Sequence, residues 1–479
     1  MSQEIRVRIA PSPSGNLHIG TARTALFNYL FAKKHHGKFI LRIEDTDLER
    51  SDNEYIKNIF DSLKALGLTW DEGPDVGGEY GPYSQSERFD IYPKYAQILI
   101  EKGYAYECFC TPEELDTEKA LSQERKTAHV YSGKCKNLTE AEKEELRKQG
   151  RKPAIRFAVK PKTLIFDDLV KGELKFDTGL IGDFVIMKSN GSPTYNFAVV
   201  VDDILMKISH ILRGEDHISN TPKQILIYEA LGATIPQFGH LGMILAPDRS
   251  KLSKRHGATG VSEFVEKGYL IEALVNFVAL LGWSPSDGVE IKTMDEIVQD
   301  FRIREVSSSN SIFEYDKLNW MNAQYIKKLS TEELKQKLLP FLAPYNLSEL
   351  SEDKLIRMVE VTREPLVILS DITDAVSYFF GEGVEIESEV QSEVLDKETS
   401  QIVLKEVQTL AENWNFDDED SLHHTLEELR ASLKEKFAIK PKETMWAIRA
   451  AITGRVKGAD ICAVLSILGK EKVLKRLKG

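Results

Sequence analysis

The sequence predicts an α/β protein in which a parallel-sheet domain is split by an α+β insertion and followed by all-α C-terminal domains. Three observations predict it. A strand–loop–helix–strand unit opens the chain, a second α/β portion returns after residue 202, and beyond about residue 320 the Leu/Ile spacing with Glu/Lys faces is helical.

Ile5-Arg-Val7-Arg-Ile9 alternates as a strand, Pro11-Ser-Pro13-Ser-Gly15 is turn-rich, and Ile19, Ala22, Leu26, Tyr29 and Leu30 keep a helical period. Lys33, Lys34, His35 and His36 suit the last helical turn, with Gly37 as its left-handed stop. Lys38 to Ile43 is the next strand, ending in Glu44-Asp45-Thr46-Asp47. Such a βαβ unit predicts a parallel sheet with its ligand at the carboxyl ends of the strands. An insertion follows over approximately residues 89–202. The sheet then resumes with Ile208 to Leu212 as a strand, Thr221 to Leu231 as a helix, and Phe238 to Leu245 as a strand leading into a lysine-bearing loop. Tyr269 to Trp283 is the most apolar stretch, but Glu272 and Asn276 interrupt it and it is too short to span a bilayer, so it reads as a buried helix.

The 479 residues are 42% hydrophobic and 29% charged, the composition of a soluble globular protein with room for roughly three or four domains. A formal net charge of −12 argues by itself against a nucleic-acid partner. Its distribution matters more: residues 382–430 hold fifteen Asp/Glu against three Lys/Arg, and from Lys434 to Gly479 twelve Lys/Arg face four acids. The acidic run thus accounts for the whole excess and abuts a basic end. Met1 to Ala10 has no apolar core of a secretory signal. Four cysteines are too few for a disulfide framework and fit a reducing cytoplasm.

Pro11-Ser-Pro-Ser14-Gly15-Asn-Leu-His18-Ile-Gly20 sets a histidine and two glycines at a helix start, where free N–H groups and the positive dipole end suit a phosphate. Gly20 would let a flat ring approach the backbone, and His18 can donate to a phosphate oxygen. A capped turn with a surface histidine is the bland alternative. Downstream, Lys251-Leu-Ser-Lys254-Arg255 follows Ala246-Pro-Asp248 and precedes His256-Gly257; taken alone, it is a solvated charged loop. A His-x-Gly helix start after the first strand, joined to a Lys-x-x-Lys loop after the last strand of a split sheet, resembles the signature motifs of class I aminoacyl-tRNA synthetases, and so implies a Rossmann-type catalytic domain.

The resemblance is closer still. Arg8 to Gly15 including Ser12, Ala22 to Asn28, Leu41-Arg-Ile-Glu44-Asp-Thr-Asp47, Tyr195-Asn-Phe-Ala198, Asp202-Asp203, Arg213-Gly-Glu-Asp-His217 and Asn220 to Gln224 are similar to the bacterial glutamyl branch of that class, over essentially the whole chain. Thr21 stands where many class I enzymes carry a second histidine, and Leu252 and Arg255 replace Met and Ser in the lysine loop; both variants are familiar in this branch.

The resemblance implies activation of glutamate by ATP with Mg²⁺ and transfer of the glutamyl group to the 3′ end of tRNA(Glu). It implies ATP-binding roles for Ser14, Gly15, His18, Gly20 and Lys254, with His18, Lys251 and Lys254 catalytic. Arg8, Ser12, Glu44, Tyr195 and Arg213 match the amino-acid pocket. Arg8 and Arg213 suit the side-chain carboxylate, because a guanidinium offers a bidentate fork that stays charged. The glutaminyl branch has cysteine in the place of Arg213, so arginine favours glutamate. A glutaminyl or misacylating paralogue and a catalytically silent tRNA-binding regulator are the competing readings.

The implied organisation is a catalytic first half over residues 1–88, an acceptor-end insertion over 89–202, a catalytic second half over 203–250, a stem-contact domain over 251–330, and helical anticodon-binding domains over 331–379 and 380–479. Arg449, Arg455 and Lys457 are tRNA-binding candidates in the last of these. In the insertion, Cys108, Cys110 and Cys135 cluster in sequence. They are either small core cysteines or three ligands of a structural Zn²⁺ whose fourth is Tyr131 or His129. No membrane partner is expected, and the family implies a monomer.

Overall fold

The computed structural model describes residues 4–46, 52–124 and 130–478. Asp47 and His129 lie outside the described residues, as does the side chain of Lys254. The chain divides into two compact units, one of residues 1–264 and 274–315, the other of residues 265–273 and 316–479.

The first unit begins with β1 (Arg6–Ile9), α1 (Ile19–Lys34) and β2 (Lys38–Leu41), and β1 and β2 pair in parallel as the βαβ pattern predicts. The left-handed residue ending α1 is His36 rather than Gly37. Gly37 is needed for a different reason: a Cβ there would lie 2.3 Å from the carbonyl oxygen of Ile5, so only glycine lets β2 start beside β1. Alternation in β1 does not separate core from solvent. Val7 and Ile9 are buried on one side, and Arg6 and Arg8 are buried on the other. Buried guanidinium groups need anions, and Arg6 has a bidentate partner in Glu72, at 2.7 and 2.9 Å.

After α2 (Asn53–Ala65) and α3 (Tyr92–Glu101), the insertion contributes β3 (Ala105–Cys108), α4 (Pro112–Glu124), α5 (Glu140–Lys148), β4 (Ala154–Phe157), β5 (Thr163–Asp168), β6 (Gly172–Asp177) and β7 (Phe184–Met187). Strands β3, β4 and β7 form an antiparallel sheet. The sheet of the second half has the order β6-β5-β9-β8, where β8 is His210–Gly214 and β9 is Gln237–Leu241. So β5, in the expected insertion, pairs in parallel with a catalytic strand, at Asp168 opposite Phe238. Strand β8 stands beside β1, the Ser209 N–H donating to the Arg6 carbonyl at 2.9 Å. Helices α6 (Tyr195–Leu205) and α7 (Thr221–Leu231) share one buried core with Ile211 of β8 and Phe238 of β9, and α7 has the bounds that sequence periodicity predicts. The strand expected over Phe238 to Leu245 is two strands, because β10 (Ile244–Leu245) leaves the main sheet to pair with Ser311–Ile312.

The second unit is helical, as the Leu/Ile spacing predicts. Its buried side chains form one core that runs from Leu270 through Tyr378, Val394 and Leu433 to Leu477, continuous across residue 380. The acidic run helps build it: Asp418 caps helix Glu419–Phe437 by accepting from the N–H groups of Asp420 and Ser421, and Glu419 takes both ends of the Arg357 fork at 2.8 and 2.6 Å. Among the described residues no helix is long and apolar enough to cross a membrane.

Candidate active site

A cleft of about 830 Å³ opens over the carboxyl ends of β1 and β8, in the first unit. Arg8, Ser12, His18, Gly20, Glu44, Tyr195, Arg213 and Lys251 all line it. Ser14 and Gly15 do not; they lie in the preceding loop, Ser14 exposed and Gly15 half-buried. Residues from both halves of the split sheet therefore meet, although up to about two hundred residues separate them, as in the Arg8–Asp203 pair.

At one end, His18 caps α1. Its Nδ1 accepts from the N–H groups of Gly20 at 3.1 Å and Thr21 at 3.4 Å, while the Ile19 N–H donates to the Thr259 carbonyl. The helix-start donors expected to meet a phosphate directly are thus already engaged. The ring presses against Gly20, where a Cβ would sit 3.1 Å from Nδ1, so the flat group that glycine admits is the histidine's own imidazole. Because Nδ1 is an acceptor, the neutral ring carries its proton on Nε2, which lies 3.1 Å from Thr21 Oγ1. Desolvation, then the nearby Lys251 charge, lowers the pKa of His18 and keeps the ring neutral. It therefore offers Nε2–H as a donor.

The cleft floor is a charged lattice that sequence reading missed. Asp203 on α6 is fully buried and receives Arg8 Nε at 3.2 Å and Arg42 Nη1 at 2.6 Å; Arg42 Nη2 in turn donates to Glu44 at 3.0 Å. Arg42 and Asp203 fall within quoted motifs, yet nothing local marks them as partners. Burial raises the Glu44 pKa while Arg42 and Arg8 pull it down. Tyr195 is 37% exposed at the cleft wall, and its hydroxyl lies 3.1 Å from His217 Nδ1. Desolvation and the Glu44 charge push the phenol up to about 12, so it stays protonated.

Arg213 is different. It is buried, its Nη2 donates to Thr221 Oγ1 at 2.7 Å and its Nε to His240 Nε2 at 3.2 Å, and its Nη1 has no partner among the described residues. Neither of its partners is a carboxylate. A desolvated cation without an anion is a site for one.

The lysine loop folds on itself. Asp248 accepts from the Ser250 N–H and hydroxyl, which hold its carboxyl down at about 2, and the imidazole of His256 takes the Ser253 N–H at 3.2 Å. Lys251 reaches the cleft exposed.

Away from the cleft, the sulfurs of Cys108, Cys110 and Cys135 lie within 4.8 Å of one another, Cys110 and Cys135 at 3.5 Å. The Tyr131 hydroxyl oxygen stands 3.5 and 3.2 Å from Cys108 and Cys110. Tetrahedral zinc with Zn–S of about 2.3 Å and Zn–O of about 2.0 Å requires edges of about 3.8 and 3.5 Å, so this donor set fits. Arg156 sits over the Tyr131 ring at 3.9 Å and donates to Cys108 at 3.2 Å, and with Tyr131 it lowers the pKa of that thiol.

In the helical unit, Arg449 is half-buried and donates to the Ala459 carbonyl, Arg455 pairs with Asp374 at 2.6 Å, and Lys457 is exposed. All three stand around the stretch between helices Pro441–Thr453 and Ile461–Lys478.

The chain is similar to known proteins in sequence and in fold. Residues 4–320 match the family described as tRNA synthetases class I (E and Q), catalytic domain, and residues 333–479 match an anticodon binding domain. A glutamate–tRNA ligase of Carboxydothermus hydrogenoformans is 48% identical over 99% of both chains. Glutamate–tRNA ligase 1 of Caldicellulosiruptor saccharolyticus is 48% identical over 99% of this chain and 98% of its own. Among solved structures, a glutamate tRNA ligase from Elizabethkingia meningosepticum, in complex with its amino acid, superposes with a TM-score of 0.91 at 33% identity over 99% of this chain and 98% of that one. The split sheet, the cleft lined from both of its halves and these likenesses agree: the chain belongs to the class I tRNA synthetases of the glutamyl and glutaminyl group.

Proposed function

We propose that the chain is a glutamate–tRNA ligase that forms glutamyl-adenylate from glutamate and ATP, releasing pyrophosphate, and then passes the glutamyl group to the 3′-terminal adenosine of tRNA(Glu). The observation that carries the choice of glutamate is Arg213, a buried guanidinium in the cleft with no carboxylate partner among the described residues and an unpaired Nη1. Glutamine would leave that charge uncompensated, which disfavours it by several kcal/mol.

The first step needs no nucleophile from the protein. The substrate α-carboxylate, with a pKa of about 3.5, is ionised at neutral pH and attacks the α-phosphorus itself. The chain supplies alignment and countercharge. Arg213 and Arg8 receive the side-chain carboxylate, Ser12 and the Tyr195 hydroxyl add hydrogen bonds, and Glu44 takes the α-ammonium. His18 Nε2–H meets the phosphates, Ser14 and Gly15 contribute the loop above Gly20, and Lys251 and Lys254 balance the charge that grows on the departing pyrophosphate. Mg²⁺ bound with ATP neutralises the same oxygens.

Residues 89–202 receive the tRNA acceptor end, with Cys108, Cys110, Cys135 and Tyr131 holding a structural Zn²⁺. The four sites would then be one cross-link between β3 and the loop before α5. Residues 331–479 contact the anticodon arm through Arg449, Arg455 and Lys457. The protein acts in the cytoplasm as a monomer.

Exchange of labelled pyrophosphate into ATP in the presence of tRNA tests the reading. The expected result is exchange with glutamate and little with glutamine. Equal rates with both amino acids would remove the specificity claim, and no exchange with either would favour a silent tRNA-binding protein.

A further inference from the structure

Strand register explains how Arg213 comes to be held without an anion. Parallel pairing sets Arg213 of β8 opposite His240 of β9, and side chains two residues apart on β9 share a face. Phe238 and His240 accordingly stack nearly parallel, and the Arg213 guanidinium lies over the Phe238 ring with its Nε on His240 Nε2. On the far side of His240, at the end of β5, stands Asp168. Its Oδ1 accepts from the N–H groups of Val170, Lys171 and His240 at 3.0, 2.9 and 3.1 Å, and its Oδ2 lies 2.6 Å from His240 Nδ1. Asp168 and His240 are fully buried.

The protonation states follow from these contacts. Three backbone donors leave Asp168 an ionised acceptor, so the hydrogen between it and His240 belongs to Nδ1. Nε2 is then a lone pair, the one arrangement that lets it accept from Arg213 Nε–H. Burial and the Arg213 charge act against a second proton on the ring. Thr221 supplies a second neutral acceptor, to Nη2.

We infer that Asp168, His240 and Thr221 are specificity-determining positioning residues: they fix the Arg213 fork through neutral acceptors, so that its charge is left for the side-chain carboxylate of the amino acid. Arg8 and Arg42 show the alternative mounting. Both contact Asp203 directly, and a carboxylate at that distance absorbs much of the charge a ligand would use. In the Arg213 mount the carboxylate is a ring's width away and orients the imidazole instead. This inference deepens the glutamate reading and rests on it.

The test uses the full chain with tRNA and compares glutamate with glutamine in pyrophosphate exchange. His240→Ala should raise the KM for glutamate roughly ten- to a hundredfold and narrow the preference for glutamate over glutamine by a similar factor, with the KM for ATP unchanged. His240→Gln, whose amide oxygen reaches the Nε2 position, should recover part of both. An unchanged preference in a folded His240→Ala protein would overturn the inference, as would equal rises in the KM values for glutamate and ATP. Should His240→Ala not fold, Thr221→Val keeps the shape and deletes the Nη2 acceptor, and an unchanged preference there overturns it equally. Wild-type protein that gives no exchange with glutamate would defeat the ligase reading rather than this mount.

Discussion

Positive charge is held in opposite ways in the cleft of the first unit and along residues 434–457 of the second. In the cleft unit Arg6, Arg8, Arg42 and Arg213 are buried and fixed by named partners at defined distances. In the helical unit Lys434, Lys436, Lys440 and Lys457 are exposed, and Arg455 is tied by a single ion pair to Asp374, itself largely exposed. A fixed charge selects by geometry, since a small carboxylate must fit the fork or lose it. Loose charges add up over a polyanion and are weakened by salt. A net charge of −12 is thus compatible with an RNA partner, because the buried cations of the cleft and the exposed cations of the basic end are separate populations.

The comparison breaks most visibly at Asp203. Asp203→Asn leaves Arg8 without its carboxylate and Arg42 with Glu44 alone, and removing one partner of a buried pair costs about 3–5 kcal/mol. Urea denaturation should register that loss; a change under about 1 kcal/mol would mean the lattice is as loosely held as the surface charges. The acid side carries the same signature. The Arg42 and Arg8 charges hold the Asp203 pKa below its unfolded value. Its contribution is therefore complete above the unfolded carboxyl value of about 3.9 and fades as pH falls toward the native one. The substituted protein should lose that part of its acid sensitivity.

Arg213→Met comes next. It keeps an unbranched stem and deletes the fork, and the lost charge-assisted bonds should lower glutamate activation about a hundredfold. Because the site is buried, the ratio of wild-type to variant rates should barely change between low and high salt. A strongly salt-dependent ratio would place Arg213 with the exposed cations instead.

What sequence could show follows the same division. The βαβ opening and helix α7 were legible because their signals are local: period-two and period-3.6 patterns. That Arg8, Ser12, Glu44, Tyr195 and Arg213 belong to one cleft was legible only through motifs whose residues resemble those of a family. The mounts behind the pocket were not. His240 reads as one more residue of an ordinary strand, and its partner Asp168 is 72 positions earlier in the expected insertion. Only the register of β5, β8 and β9 joins them to Arg213. Likewise, Arg6 and Arg8 alternate with apolar residues as a half-exposed strand would, and only Glu72 and Asp203, brought from elsewhere, make their burial affordable.

The cysteine cluster offers a middle case, close-set like the cleft cations yet outside the cleft. Metal analysis of the purified chain should find about one zinc, lost in Cys108→Ser. Glutamate activation in that variant should fall far less than in Arg213→Met, because the cluster lies outside the cleft. Zinc-free wild-type protein would return these cysteines to the core.

The smallest effect is expected at the basic end. Lys457→Ala removes one exposed cation, so tRNA affinity should fall by less than about tenfold, and the slope of log affinity against log salt should shrink by about 0.7–0.9 if one phosphate contact is lost. The acidic run is the counterpart, since its charge could keep non-specific RNA away from that end. Two of its members are unsuitable for asking this, because Asp418 caps a helix and Glu419 holds Arg357. Asp417 and Asp420 are exposed and form no ion pair among the described residues, so the paired change Asp417→Asn with Asp420→Asn alters charge with little change in packing. If the run acts as a screen, non-specific RNA should bind more tightly while tRNA(Glu) binding changes less. An unchanged ratio of the two affinities would reduce the run to a solvated helical face, and the basic end would then owe its selectivity to its own few fixed contacts.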